Sequence, residues 1–193
     1  MPASIIAWDE FKRAYPTSKV LSRDTGHVRP YGQNPYVGYD DINNTPFLYR
    51  GPATPDRLAP MARVLAVELG GDVVAFPYES LEQLRVVNET VGGSEIVVFW
   101  APGTASALDR VAIAGGRDVG AANAFLRAID GRSLTFAAEG EGFVDLETGS
   151  PWDILGTALD GGLAGERLTP VVAINHFWFS WVAFKPETRV YQP

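Results

Sequence analysis

His176 is one of only two histidines in the chain and stands among Phe177, Trp178 and Trp181. An imidazole titrates near neutrality and becomes a general base when a carboxylate orients it. The carboxylates available for that role are Asp145, Glu147 and Asp109. Asp145 and Glu147 lie two positions apart at the end of a β-favouring run, so alternation sends both to one face. Two carboxylates so placed could hold a cation through hard oxygen ligands or share a proton. Each group also has a plainer role. Asp and Thr at a strand exit, as in Asp145, Thr148 and Asp153, fix turns through side-chain to backbone bonds. A histidine near a helix start packs and hydrogen-bonds there, and geometry rather than residue type makes it a base. Asp109 with Arg110, and Asn88 with Glu89, are adjacent, and adjacent strand residues point to opposite faces, so neither pair forms a site alone.

Other chemistries lack their parts. The chain has no cysteine, which removes disulfides, thiolate nucleophiles and thiolate metal sites together. Ser106 and Ser150 stand in no nucleophile-elbow pattern and have no histidine near them in sequence. The glycines between Gly156 and Gly165 fit neither a phosphate-binding loop nor a dinucleotide fingerprint and read as turns. No cofactor is expected. A net charge of −7 without clustered Lys and Arg argues against nucleic acid as a partner, and no apolar run is long enough to be a transmembrane segment. Met1 to Ile6 lack a basic stretch followed by an apolar run, so no signal peptide is expected within this chain, which leaves open one removed before Met1.

The elements that would position these groups are short. At 193 residues with 46 % hydrophobic content, the chain is the size of one domain with a real core. Twenty Gly and fourteen Pro, scattered rather than run together, favour strands and turns over long helices. The amino end predicts a helix capped by Ser4, with Trp8, Phe11 and Tyr15 as a buried aromatic face and Pro16 as its stop. Leu21 to Pro60 predicts a long Tyr/Pro/Gly-rich loop anchored by Tyr31, Tyr36, Tyr39, Phe47 and Tyr49.

Regular structure resumes with Arg63 to Leu69 and Asp72 to Phe76, a hairpin across Gly70-Gly71. A short helical turn is expected at Ser80 to Arg85. Val86 to Val91 and Glu95 to Trp100 form a second hairpin across Gly92-Gly93, with the return strand central. Further strands are expected at Ala107 to Ile113, Phe125 to Ile129, Ser133 to Ala138, Phe143 to Leu146 and Arg167 to Ala173. Asn175 is then expected to cap a short helix carrying Phe177, Trp178, Trp181 and Phe184 up to Pro186. The fold class is therefore α+β, mainly β: an antiparallel, strand-rich single domain over 1–193, with short helices near both ends. Trp8, Phe11, Lys12 and Pro16 are echoed by Trp181, Phe184, Lys185 and Pro186. If the echo is not chance, 1–22 is the tail of a preceding unit in a longer duplicated parent.

Several words of the sequence are distinctive in their order. These are Trp8 to Leu21, Tyr31-Gly32-Gln33-Asn34-Pro35-Tyr36-Val37-Gly38-Tyr39 and Val86-Val87-Asn88-Glu89-Thr90-Val91-Gly92-Gly93. They continue with Asp109-Arg110, Leu134-Thr135-Phe136, Asp145-Leu146-Glu147-Thr148-Gly149-Ser150-Pro151-Trp152 and the Trp181 helix ending at Pro186. In them the chain resembles the prokaryotic domain-of-unknown-function family numbered 3179 over nearly its whole length. The resemblance carries no activity. It implies an extracytoplasmic location, because members commonly look exported or lipid-anchored. It also implies a histidine and a Cys-Pro-Leu-Cys run that this chain lacks: Leu84 stands near the histidine position, and Trp100-Ala101-Pro102-Gly103-Thr104 stands where the cysteines would be.

Two functions of different class follow. The first is a non-catalytic extracytoplasmic domain that binds a small molecule or a protein through an aromatic cleft, with Tyr36, Tyr39, Asn88, Trp152 and Trp178 as binding candidates. The second is an acid/base or metal-assisted enzyme that uses His176 with Asp145, Glu147 or Asp109. No metal ligand set is assigned.

Overall fold

Two glycine pairs set the frame. The computed structural model describes residues 3–193, so Met1 and Pro2 at the amino end lie outside the described residues. Gly70, Gly71, Gly92 and Gly93 all have positive φ, the backbone required by two-residue hairpin turns. They join β1 (Arg63–Leu69) to β2 (Asp72–Pro77) and β3 (Val86–Val91) to β4 (Ser94–Ala101). The two tips rest on each other: a Cβ on Gly92 would lie 2.0 Å from the Leu69 carbonyl oxygen, and one on Gly70 would lie 2.4 Å from that of Gly92. Only glycine allows both the turn and the approach.

Downstream come β5 (Ala121–Leu126), β6 (Ala128–Ile129), β7 (Arg132–Ser133), β8 (Phe136–Glu139), β9 (Gly142–Asp145) and β10 (Pro151–Trp152). The last are β11 (Thr169–Pro170), β12 (Ala173–Phe177) and β13 (Arg189–Val190). The helices are α1 (Trp8–Ala14), α2 (Tyr78–Leu84) and α3 (Trp178–Val182). Strand orders are β12-β1-β2-β13, β11-β5-β4-β3 and β10-β9-β8, with β6-β7 as a separate ribbon. All pairings are antiparallel except β13 with β2. The chain is thus a single, mainly β, α+β domain.

The sheets stack in layers. Leu65, Val67, Val74 and Phe76 of the first sheet meet Val87, Val91, Ile96 and Val98 of the second, with Leu81 of α2 among them. The opposite face of the second sheet, with Val97, Phe99 and Phe125, packs on Phe136, Phe143 and Trp152 of the third. The outer face of the first sheet, with Val64, Ala66, Val73 and Ala75, is covered by Trp178 and Trp181. Strand β4 is therefore buried on both faces from Ile96 onward, which is why its sequence from there is continuously apolar instead of alternating. Each large side chain so enclosed contributes about 1.5–3 kcal/mol of transfer free energy.

Several expectations need correction. Helix α1 starts at Trp8 behind Ala7 and not behind Ser4. Its aromatic stripe faces outward: Trp8 is 55 % exposed and stacks on Phe11 at 5.4 Å, which meets Tyr15 at 5.6 Å, whereas Ile6 packs on the core. The rings bury area against one another along the helix surface. Ala107 to Ile113 is not a strand, because Asp109 bends the chain back by accepting the Arg117 N–H at 2.7 Å, and Val111 is exposed. Arg167 to Ala173 is not one strand: Arg167 bridges Thr157, Thr169–Pro170 pairs with β5, Pro170 has no N–H to extend that ladder, and Ala173 already belongs to β12. Asn175 belongs to β12 and accepts a hydrogen bond from the Tyr78 hydroxyl instead of capping a helix, and α3 begins at Trp178 after Phe177. Phe125 to Ile129 breaks after Leu126, and Ser133 to Ala138 breaks between β7 and β8.

Candidate functional site

Residues 21–60 contain no helix or strand, yet the segment is held firmly in its middle. The Asp40 side chain is fully buried, accepts from Arg63 at 2.6 Å and pairs with Arg117 at 3.0 Å. The Ser106 hydroxyl donates to it as well. Burial alone would raise the Asp40 pKa, but the Ser106 and Arg63 hydrogen bonds and the two guanidinium charges outweigh it and hold the carboxyl below its ordinary value. Arg117 also donates to the Asp40 carbonyl at 2.8 Å and pairs with Asp109 at 3.2 Å. Buried Asn34 accepts the Tyr36 N–H at 2.8 Å, and Gly38 donates to the Asp109 carbonyl. Of the five aromatic anchors expected here, Tyr39 and Tyr49 are half-buried, whereas Tyr31, Tyr36 and Phe47 lie exposed. Charge pairing, rather than aromatic burial, is the main fastening.

This fastening presents a belt of rings. Tyr39 meets Phe47 edge-on at 5.4 Å and Phe177 at 5.9 Å, and Tyr36 sits 6.4 Å from both Tyr39 and Phe47. Phe177 stacks with Phe179 at 6.3 Å, and Phe179 meets Tyr49 at 5.3 Å. Arg63, the partner of Asp40, lies over the Phe177 ring at 5.1 Å, so the pairing that anchors the loop also fixes the middle of the belt. At the loop end, Pro35, Tyr36, Val37, Gly38, Tyr39, Asn44, Thr45 and Phe47 enclose a cup of about 430 Å³. Asn44 steadies its wall by donating to the Gly38 carbonyl at 2.7 Å. About half of Tyr36 (51 %) and Phe47 (52 %) is open to solvent, so the rings present apolar faces outward.

The other residues singled out in the sequence do not gather in one place. His176 is half-buried beside Trp181, its Nδ1 lies 3.3 Å from the Ser180 hydroxyl, and burial lowers its pKa. Among the described residues no hydrogen bond or ion pair links it to Asp145, Glu147 or Asp109. Asp145 is fully buried and accepts from Thr148 N at 2.6 Å, Thr148 Oγ1 at 2.9 Å, Ser150 N at 3.2 Å and Trp152 Nε1 at 3.0 Å. Burial would raise its pKa, and these donors reverse the shift. Glu147 accepts the Thr135 N–H at 2.7 Å, away from that cluster.

Asn88 exchanges two bonds with the Phe136 backbone, at 2.8 and 3.0 Å, and so ties β3 to β8. Trp152 and Trp178 are enclosed in the core, and the Trp178 indole donates to the Pro55 carbonyl at 3.0 Å. Of the five binding candidates, Tyr36 and Tyr39 share the cup and the other three do not. Among the described residues no group of three or more His, Asp or Glu side chains is arranged to hold a metal ion. None of the helices described is long and apolar enough to cross a membrane.

Phe177, Phe179, Asp40, Arg63 and Arg117 escaped the sequence reading as parts of one surface. Phe177 was legible only as a helix residue, Phe179 was not singled out, and nothing in the spacing of Asp40, Arg63 and Arg117 announces that they meet.

A family model described as "Protein of unknown function (DUF3179)" matches residues 1–188. No curated protein and no solved structure matches the chain.

Proposed function

The chain belongs to the DUF3179 family of proteins of unknown function, and from that premise we propose that it is a non-catalytic, extracytoplasmic domain that binds a ligand or partner through its aromatic belt. The carrying observation is the cup of Tyr36, Tyr39 and Phe47, continued by Phe177 and Phe179 and left open to solvent on a loop that buried charge pairs hold in place. Rings already fixed lose little entropy on binding, and each offers a flat apolar face with a polar edge. Such faces take the apolar sides of sugars and extended proline-rich segments. The extracytoplasmic placement rests on the family resemblance and is checked by fractionating the cells that make the protein.

The binding test is a heteronuclear NMR titration with soluble oligosaccharides and proline-rich peptides. Amide shifts confined to residues 35–47 and 177–179 are expected, with affinity falling about tenfold or more in Tyr36→Ala or Phe47→Ala. Shifts scattered over the surface, or a titration that both variants leave unchanged, would set the belt aside as the binding surface.

A further inference from the structure

A second cleft, of about 460 Å³, lies away from the belt, between α1 and the third sheet. Its apolar floor is backed by Phe143, Trp152 and Ile154, which are 2 %, 0 % and 3 % exposed, and the exposed Leu159 stands at its rim. Its charged lining is Glu10 and Arg13 from α1, Glu141 from the β8–β9 turn, Asp153, and Arg167. Glu10 and Arg13 satisfy each other at 2.5 Å. The turn carrying Glu141 is pinned by Arg85, which donates to the Glu141 carbonyl at 2.7 Å and to that of Gly140.

Asp153 and Arg167 are the two groups left over. The Asp153 Oδ1 accepts the N–H groups of Leu155 and Thr157, both at 2.9 Å, while its Oδ2 makes no hydrogen bond among the described residues. The Arg167 guanidinium likewise makes no ion pair or hydrogen bond among the described residues. Each charge is felt by the other without the two closing into a pair. Burial pushes the Asp153 carboxyl up from its ordinary value, against the amide bonds and the arginines that lower it. An asparagine would accept the same two amides with no charge to desolvate, so the turn alone does not require a carboxylate here.

We propose that this cleft is a binding site for a small zwitterion with an apolar body, such as a free hydrophobic amino acid, whose ammonium meets Asp153 Oδ2 and whose carboxylate meets Arg167. The apolar body lies against Leu159 and the narrow accessible edges of Phe143 and Ile154. The lining matches that pattern: once Glu10 and Arg13 are paired, one cation and one inner carboxylate face an apolar floor, with Glu141 as a second acceptor at the mouth. The site deepens the binding-domain assignment yet shares no residue with the aromatic belt, so the two can fail separately.

The test is calorimetry and NMR on the full chain with L-phenylalanine, using phenethylamine and 3-phenylpropionate as single-charge probes. L-phenylalanine is expected to shift the amides of residues 152–157 and the Trp152 indole, and to bind at least about tenfold more tightly than either single-charge probe. Asp153→Asn, which keeps the turn bonds, and Arg167→Ala, at an exposed side chain, should each reduce affinity about tenfold or more. Absence of localised shifts at millimolar L-phenylalanine, equal binding of all three probes, or full binding by both cleft variants would overturn the proposal.

Discussion

Asp145 and Glu147 leave the same strand two residues apart and do different work. Four donors converge on Asp145 in a fully buried site, whereas Glu147 is exposed and accepts one backbone N–H. A buried acceptor that serves this many donors is costly to remove, because the Trp152 indole N–H and the turn amides then have no partner. Asp145→Ala is therefore expected to lower unfolding free energy by about 3 kcal/mol, and Glu147→Ala by less than about 1 kcal/mol. Urea denaturation of the two variants checks this, and similar losses would show that the Asp145 cluster is not the fastening of the β9–β10 turn. The turn role of Asp145 was legible from Asp and Thr at a strand exit. Its bond to the Trp152 indole was not, because it depends on how β10 folds back on β9. His176 was legible as a titrating group, but its partners, Ser180 and Trp181, follow from the strand-to-helix transition after Phe177, which the asparagine at 175 disguised as a cap.

The hairpins could be read directly because their turn chemistry is local: Gly70-Gly71, Gly92-Gly93 and Asp130-Gly131 each combine two residues of positive φ between β-favouring runs. The segment 21–60 could not, because its order comes from side chains far apart in the sequence. Asp40 reaches Arg63 and Arg117, and those two also hold Phe177 and Asp109. Ala107 to Ile113 was misread for the same reason, since its apolar residues suggested a strand while Asp109 was committed to Arg117. In Asp40→Ala the two guanidinium groups lose their buried counter-charge. Because both arginines are partly exposed, the cost is expected at about 2 kcal/mol, below that of breaking a fully buried pair. The loss should fall on the loop. Amide exchange by mass spectrometry is expected to show deprotection of residues 34–44 and 106–118, with β1, β4 and β5 still protected. Uniform deprotection of the sheets would instead make Asp40 part of the global core. The same variant should loosen the aromatic cup and weaken any ligand held there.

At the scale of the whole molecule, the fold half-buries groups whose titrations oppose one another. His176 is held below its ordinary value of 6.5 by burial, so the folded state binds fewer protons than the unfolded one. Its contribution to stability is complete above pH 6.5 and declines as pH falls toward the folded value. Asp153 acts in the other direction. Its carboxyl is raised by burial above 3.8, so its contribution is complete below pH 3.8 and is lost as pH rises through the folded value. Asp40 and Asp145 are both lowered from 3.8, the hydrogen bonds and charges around them outweighing burial, and their contributions are lost only in stronger acid. Lowering the pH through 6.5 should therefore cost stability as His176 charges, the Asp153 contribution returns on the approach to pH 3.8, and those of Asp40 and Asp145 are lost below it. Single variants separate the two. In His176→Gln the decline below pH 6.5 should be reduced, because the group that takes up a proton on unfolding is gone. In Asp153→Asn the decline below pH 6.5 should remain, while the gain on the approach to pH 3.8 should be lost. Urea denaturation across this pH range decides the matter, and parallel profiles for the two variants would mean that neither group senses the layered interior as its burial requires.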